Sequence, residues 1–466
     1  MVRLRRSRPF VALVALLVLA AACGRDEDDD GTASEQTSPP AGSETTTSAA
    51  PDICDSEPLE ATEVGVTADE ITIFVMADVG SPLAPGLFQG SIDAVKAWGN
   101  YINERGGVGC RKVVVREWDS KLSPDDTTNG TIDACQNAFA MVGTTSLFVL
   151  DASNLVNCPD KAGQPTGLPD IAQLATELPH QCNPTTFAIN NAEGDCPYTG
   201  GVRRTVQFMG TYRYFLEQVP DLHGIFLIPG DLPSAIQSSI VGVRAAESIG
   251  VVNDGEFKVS GRDEQAAFAR FIEPIKQHQS NFVHNGSNDV AMVKMRKEAK
   301  AQNVNVEIWS CTLSCYTPAF LEAGGADVEG TYMWMQFLPF EEADTNEELA
   351  AYLDAVGGIE KATSWGAAAW AGAVELKEVI DRIVEKDGPN AITRARFLEE
   401  LAALDDFDAN GWFGKKAQRK LSDCFVLLQV QNGEFVRVFP EERGTFHCDP
   451  ENLVEITVDP TTEFRG

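Results

Sequence analysis

The chain runs to 466 residues, with 37 Lys and Arg against 69 Asp and Glu and a formal charge of −32. That length implies about two or three domains, and 43% hydrophobic residues suffice to bury sizeable cores. General disorder is excluded, and the acidic excess argues against a nucleic-acid partner, whose phosphates require clustered Lys and Arg.

Residues 1–22 read as a signal peptide. Arg3, Arg5, Arg6 and Arg8 form a basic start, and Phe10 to Leu19 is an apolar run too short to span a bilayer. It ends in Ala20-Ala21-Ala22-Cys23. The pattern resembles a bacterial lipoprotein signal, with Ala20 where Leu is usual, and makes Cys23 the expected lipidation site. Residues 23–52 then form a stalk. It holds the acids Asp26, Glu27, Asp28, Asp29 and Asp30 and a stretch rich in Ser, Thr and Pro, with too few apolar residues to offset ordering entropy. Lipid, stalk and globular body place the protein on the extracytoplasmic face of the cell membrane. The body is too acidic to be drawn to anionic headgroups, so the anchor makes the membrane contact.

Ile71 to Met76 is a short strand, followed by a Gly- and Pro-rich loop. Phe88, Ile92, Val95 and Ile102 then recur at helical spacing, and Gly106-Gly107 stops that helix. Val113–Val115 is the next strand, Asp125 to Ala140 a helix, and Ala140–Val142 opens a third strand. A second series starts with a strand at Ile225–Ile228. It continues with helices at 234–249 and 264–278, a strand at Asn281–Val283, a helix at Val290–Ala301 and a strand at Val306–Trp309. Strands alternating with helices mean right-handed β-α-β units and largely parallel sheets. Two such series imply two α/β domains. Farther on come helices at Trp365–Glu385 and Thr393–Leu404. Two strands, Phe425–Val430 and Phe435–Val438, then flank Asn432-Gly433, a strong hairpin signal. These pieces complete the two domains rather than build a third.

Setting Cys23 aside, ten of the eleven Cys remain in an exported chain, which favours five disulfides. Ten Cys admit about 945 pairings. Proximity suggests Cys424 with Cys448, Cys182 with Cys196, and Cys311 with Cys315. Cys54 with Cys110 and Cys135 with Cys158 would complete the set. No metal site is expected: there is no C-x₂-C pair, and the five His lack ligand spacing. No nucleophile elbow, Walker loop, H-E-x-x-H or dinucleotide fingerprint is present, so no cofactor and no catalytic residue is assigned.

Several segments together resemble the type I periplasmic binding proteins of branched-chain amino-acid ABC transporters. They are the strand and loop from Ile71 to Gly90, the helix ending Tyr101-Ile-Asn-Glu-Arg-Gly-Gly107, and Phe282-Val-His-Asn-Gly286 before a helix. Ser364-Trp-Gly-Ala and Phe407-Asp-Ala-Asn-Gly411 complete the set. The resemblance covers roughly residues 60–440. It implies two Rossmann-like lobes joined by a three-crossing hinge, one from 60–191 with 333–420 and the other from 192–332 with 421–450. It also implies a small polar solute, an amino acid or amide for example, held in the interdomain cleft and passed to an ABC permease. Open parallel sheets bind ligands at the carboxyl ends of their strands, which directs attention to the loops 80–88, 150–154, 172–176, 229–234, 284–289 and 310–317. By position in the family pattern, Ser153 and Asn154 would hold a ligand carboxylate, with Ala175 and Thr176 at the other end. Asn285 stands near the usual aromatic. Ser314 stands near the usual acidic anchor for an ammonium group, a charge that Asp151, Asp231 or Asp289 would have to supply instead. A lipid-tethered sensor of the same fold is the alternative, and an ectoenzyme the remoter one.

Overall fold

The computed structural model describes residues 53–459 apart from 56, 82–84, 191, 198–199 and 231–232, together with residue 464. Cys23, the signal segment and the stalk lie outside the described residues, as does Asp231.

Apolar side chains on both faces of Glu70–Ala77 (β1) are buried, as an interior strand of a parallel sheet requires. It pairs with Lys112–Asp119 (β2) on one side and Ala140–Thr144 (β3) on the other. Asp170–Leu174 (β4) and Thr186–Asn190 (β5) extend the sheet in the order β2-β1-β3-β4-β5, all parallel. Helix α1 (Gln89–Asn103) buries Ile92, Val95, Trp98 and Ile102. The expected stop follows it, where Gly106 and Gly107 take φ of 101° and 81°. A side chain at Gly107 would also run into the Arg111 carbonyl.

Helix α2 (Pro124–Asn137) opens on Ser123, whose side chain accepts from the Asp126 amide, with proline in its first turn. It ends earlier than the expected Ala140. The Phe139 amide pairs with the Thr72 carbonyl at the start of the sheet, and the buried Arg394 takes the carbonyls of Cys135, Ala138 and Phe139. Two short helices follow, α3 (Ser153–Val156) and α4 (Leu178–Cys182).

The second series brings β6 (Glu193–Gly194), β7 (Arg203–Phe208), α5 (Gly210–Gln218), β8 (His223–Pro229), α6 (Pro233–Ser248) and β9 (Val252–Val259). Next come α7 (Ala269–His278), β10 (Phe282–Asn285), α8 (Asp289–Ala301), β11 (Ile308–Cys311), α9 (Pro318–Gly324) and β12 (Thr331–Met335). The helix expected from residue 264 starts instead as a 3-10 turn, Gln265–Phe268, and becomes α7 at Ala269. The last third supplies α10 (Glu347–Val356), α11 (Ser364–Asp387), α12 (Arg394–Ala402), β13 (Cys424–Gln431), β14 (Glu434–Phe439), β15 (His447–Cys448) and β16 (Leu453–Val458).

The second sheet runs β14-β13-β12-β11-β10-β8-β9. It is parallel from β9 to β12 and closes with the antiparallel hairpin β13–β14. Asn432 and Gly433 turn that hairpin with positive φ at both. A third, antiparallel sheet, β16-β7-β6, was not evident in the sequence.

Between the two large sheets the chain crosses three times. It leaves β5 for β7 and β8, returns after β12 to α10–α12, and crosses again to β13. The second and third crossings lie side by side, joined by Leu338 N to Trp412 O at 2.9 Å and Gly414 N to Gln336 O at 2.8 Å. Long helix α11 packs on β3, β4, β5 and α1, so the last third returns to the first sheet. Rings of Tyr316, Phe337, Trp412, Tyr352, Trp370 and Tyr101 follow one another from the β11 exit to α1, each pair within 6.4 Å. Five disulfides join Cys54–Cys110, Cys135–Cys158, Cys182–Cys196, Cys311–Cys315 and Cys424–Cys448, the pairs expected from the sequence. Among the described residues no helix is long and apolar enough to cross a membrane.

Candidate functional site

In both large sheets the strand order reverses once, between β1 and β3 in the first and between β8 and β10 in the second. In open parallel sheets the carboxyl edge beside such a reversal is the favoured place for a ligand.

At the first sheet a buried carboxylate organises that edge. Asp78, directly after β1, accepts from the Ser120 hydroxyl at 2.6 Å, the Leu122 amide at 2.8 Å and the Leu147 amide at 2.8 Å. One side chain thus ties the exits of β1, β2 and β3 together. Asp119 at the end of β2 does the same for the β1 exit. Burial works against its charge, but the amides of Gly80, Val79 and Lys121 outweigh that and hold the carboxyl below its ordinary range. Any side chain at Gly80 would strike Asp119.

On this edge several polar groups are buried and bond to nothing. The Thr144 hydroxyl at the end of β3, both amide atoms of Gln173 on β4 and the Thr176 hydroxyl just beyond have no partner. Gln173 is wholly buried. A buried polar group left unpaired costs about 1–3 kcal/mol, so a cluster of them calls for an explanation. Ala175, the residue before Thr176, is buried beside Ala172 and Ala188.

The second sheet is arranged differently. Asn285 ends β10 wholly buried, its amide donating to the Asn288 carbonyl at 2.9 Å and its oxygen accepting from the Ser287 amide at 3.3 Å. Ser314, beyond β11, donates to the Ser287 carbonyl at 2.7 Å and lies 2.8 Å from the Thr312 hydroxyl. The Cys311–Cys315 bridge closes the same loop. Next to it the Tyr316 phenol donates to Glu341 at 2.6 Å and accepts from the Phe340 amide, fixing the loop to the second crossing.

The structure therefore brings Asn285 and Ser314 together through Ser287, and sets Ala175 and Thr176 at the exit of β4. Ser153 and Asn154 lie elsewhere. They line a groove of about 370 Å³ with Ile132, Cys135 and Asp160, along α2 and α3. Ser153 is engaged by Asp151, at 2.9 Å between side chains. Ser146-Leu147-Phe148-Val149-Leu150 is apolar enough to read as strand, yet β3 ends at Thr144, where Gly143 takes φ 71° and the pairing with β4 slips. Asp289 opens α8, its carboxyl pushed up by burial.

Gln173 and Thr144 had not been singled out in the sequence. The available signal was a polar residue inside an otherwise apolar strand, Asp170-Ile-Ala-Gln-Leu174. Among the described residues, Asp423, Cys424 and Cys448 are the one cluster of potential metal ligands, and their sulfurs are joined in a disulfide.

The profile of a family described as "Periplasmic binding protein" matches residues 70–434. No curated protein matches the chain. Among solved structures, an ABC transporter substrate-binding protein from Aeropyrum pernix is similar at TM-score 0.63 and 12% identity, over 82% of this chain and 97% of that one. A branched-chain amino acid ABC transporter protein from Thermus thermophilus with bound valine is similar at TM-score 0.60 and 13% identity, over 82% and 98%. A fatty acid ABC transporter substrate-binding protein from Thermomonospora curvata gives 0.60 and 16%, over 82% and 97%. At such identities the likeness is one of fold.

Proposed function

The chain belongs to the periplasmic binding protein family, and from that premise we propose that it captures a small solute between two lobes and delivers it to an ABC permease. In this reading 60–191 with 333–420 forms one lobe and 192–332 with 421–450 the other. The observation that carries it is the set of buried, unpartnered groups of Thr144, Gln173 and Thr176 at the carboxyl edge of the first sheet. A ligand that closes over them supplies the missing bonds, and exclusion of water strengthens each one. Ala175 and Thr176 line the first-lobe side. Loops held by Asn285 and Ser314 form the opposite wall. Ser153 and Asn154, in the groove along α2 and α3, take no part in this reading.

Valine in one similar structure and a fatty acid transporter's name on another bracket the solute as small, with an apolar portion. Family membership implies an extracytoplasmic location, and Cys23 carries the lipid that holds the body at the membrane. Binding requires no catalytic group. The test is mass spectrometry of small molecules released from the purified protein on denaturation. One solute, near one per chain, is expected from the wild type, with retention cut about tenfold in Thr176→Ala. Equal retention by the variant would remove Thr176 from the site, and no retained or bindable solute would remove the reading.

A further inference from the structure

A cavity of about 220 Å³ lies inside the second lobe, between α6 and the face of the second sheet. Its walls are Phe226 and Ile228 of β8, Val243 of α6, Tyr212 of α5 and Trp334 of β12, and its mouth opens by the exposed Ser238. We propose that this cavity is a binding site of its own, for a small uncharged aromatic molecule with a hydroxyl or carbonyl group.

Three observations carry the proposal. Among the described residues, none that lines it is Asp, Glu, Lys or Arg, although the chain as a whole is rich in acids. Its titratable members stay neutral: burial lowers His284 to about 4 and pushes the Tyr212 phenol up. A charged ligand would forfeit its hydration here with nothing to compensate, and a neutral one would not.

Hydrogen-bonding groups in the cavity are also unspent. His284 has one ring nitrogen 3.2 Å from the Ser310 hydroxyl and, among the described residues, no partner for the other. Among the described residues the hydroxyls of Tyr212, Ser238 and Ser239 make no hydrogen bond. The rings of Tyr212, Phe226 and His284 stand 5.7–6.5 Å apart in tilted pairs, a frame into which another ring fits edge to face.

The third observation is Gly242, in the middle of α6. A Cβ there would meet nothing within 4 Å. Glycine inside a helix costs about 0.5–1 kcal/mol against alanine, and here no steric contact demands it. What its lack of a side chain preserves is the cavity. At about 30 Å³ per water the space holds about seven waters, below the usual range for drug-sized ligands, which fits a single substituted ring. Gly286 and Thr312 on the rim belong to the loops that carry Asn285 and Ser314, so an occupant abuts the second-lobe wall of the solute site.

Calorimetric titration of the purified protein with p-cresol tests this, with benzoate and benzylamine as charged counterparts. Measurable p-cresol binding is expected, at least tenfold tighter than either ion. Gly242→Leu, which fills the cavity, should weaken it tenfold or more. His284→Phe, which keeps the ring and removes its nitrogens, should weaken it several-fold. Thr176→Ala should leave p-cresol binding intact, separating this site from the one at the first sheet. The proposal is overturned if wild type does not bind p-cresol, if both cavity variants bind it unchanged, or if Thr176→Ala abolishes it. Should Gly242→Leu fail to fold, His284→Phe and the charged probes decide the matter.

Discussion

Thr144, Gln173 and Thr176, at the strand ends of the first sheet, carry polar atoms that bond to nothing, whereas Asn285, Ser287, Thr312 and Ser314, at the strand ends of the second, are bonded to one another beneath a disulfide. The difference teaches that one fold repeated within a chain need not present its two edges in the same state. The first edge stores unmet hydrogen-bonding capacity, which costs stability until a ligand supplies it. The second has met its own needs.

Gln173→Leu should have the largest effect. If the amide is held in reserve for a ligand, its removal should weaken solute binding about a hundredfold. The empty protein should meanwhile become more stable, by about 1–3 kcal/mol, because an unpaired buried amide is gone. Urea unfolding and titration with the released solute measure both; a loss of stability would mean that the amide already has a partner.

Asn285→Ala probes the opposite edge. It strips partners from the Ser287 amide and the Asn288 carbonyl, so it should destabilise the empty protein by about 2–3 kcal/mol. Thermal or urea unfolding reads this directly. A neutral effect would place Asn285 with the reserve groups instead.

A smaller effect concerns the crossing behind the first sheet. Lys416 donates to the Ala188 and Ile189 carbonyls at 2.6 and 2.8 Å, and Gln418 donates to Glu375 of α11. Burial raises Glu375 to about 7 and lowers Lys416 to about 8. From the unfolded carboxyl value of about 4.3 up to about 7 the folded state therefore holds the extra proton, and stability falls as pH rises. Between about 8 and 10.4 the folded state has the fewer protons at Lys416, and stability recovers. Glu375→Gln should flatten the fall below pH 7 in urea midpoints measured across pH. An unchanged profile would show that Glu375 is as well solvated as an exposed acid.

Much of the scaffold was legible from local chemistry. Asn432-Gly433 marks the hairpin because two consecutive positive-φ residues suit that turn. Near neighbours in sequence marked three of the five disulfides. What was less legible depends on nonlocal contacts. Helix α2 stops before Ala140 because the sheet and Arg394, far along the chain, take its last carbonyls and the Phe139 amide. Ser153 was read from its position in a family pattern, which carries no sign of the slip in the β3–β4 pairing. Gln173 passes for an ordinary strand residue, since the absence of a partner is visible only in three dimensions.

The central claim is that the two edges close on a solute. Small-angle X-ray scattering of the purified protein, emptied by denaturation and refolding and then saturated with its released solute, tests it most directly. The account predicts a smaller radius of gyration on saturation in the wild type, and no change in Gln173→Leu at the same solute concentration. An identical scattering curve with and without a solute shown by calorimetry to be bound would contradict closure.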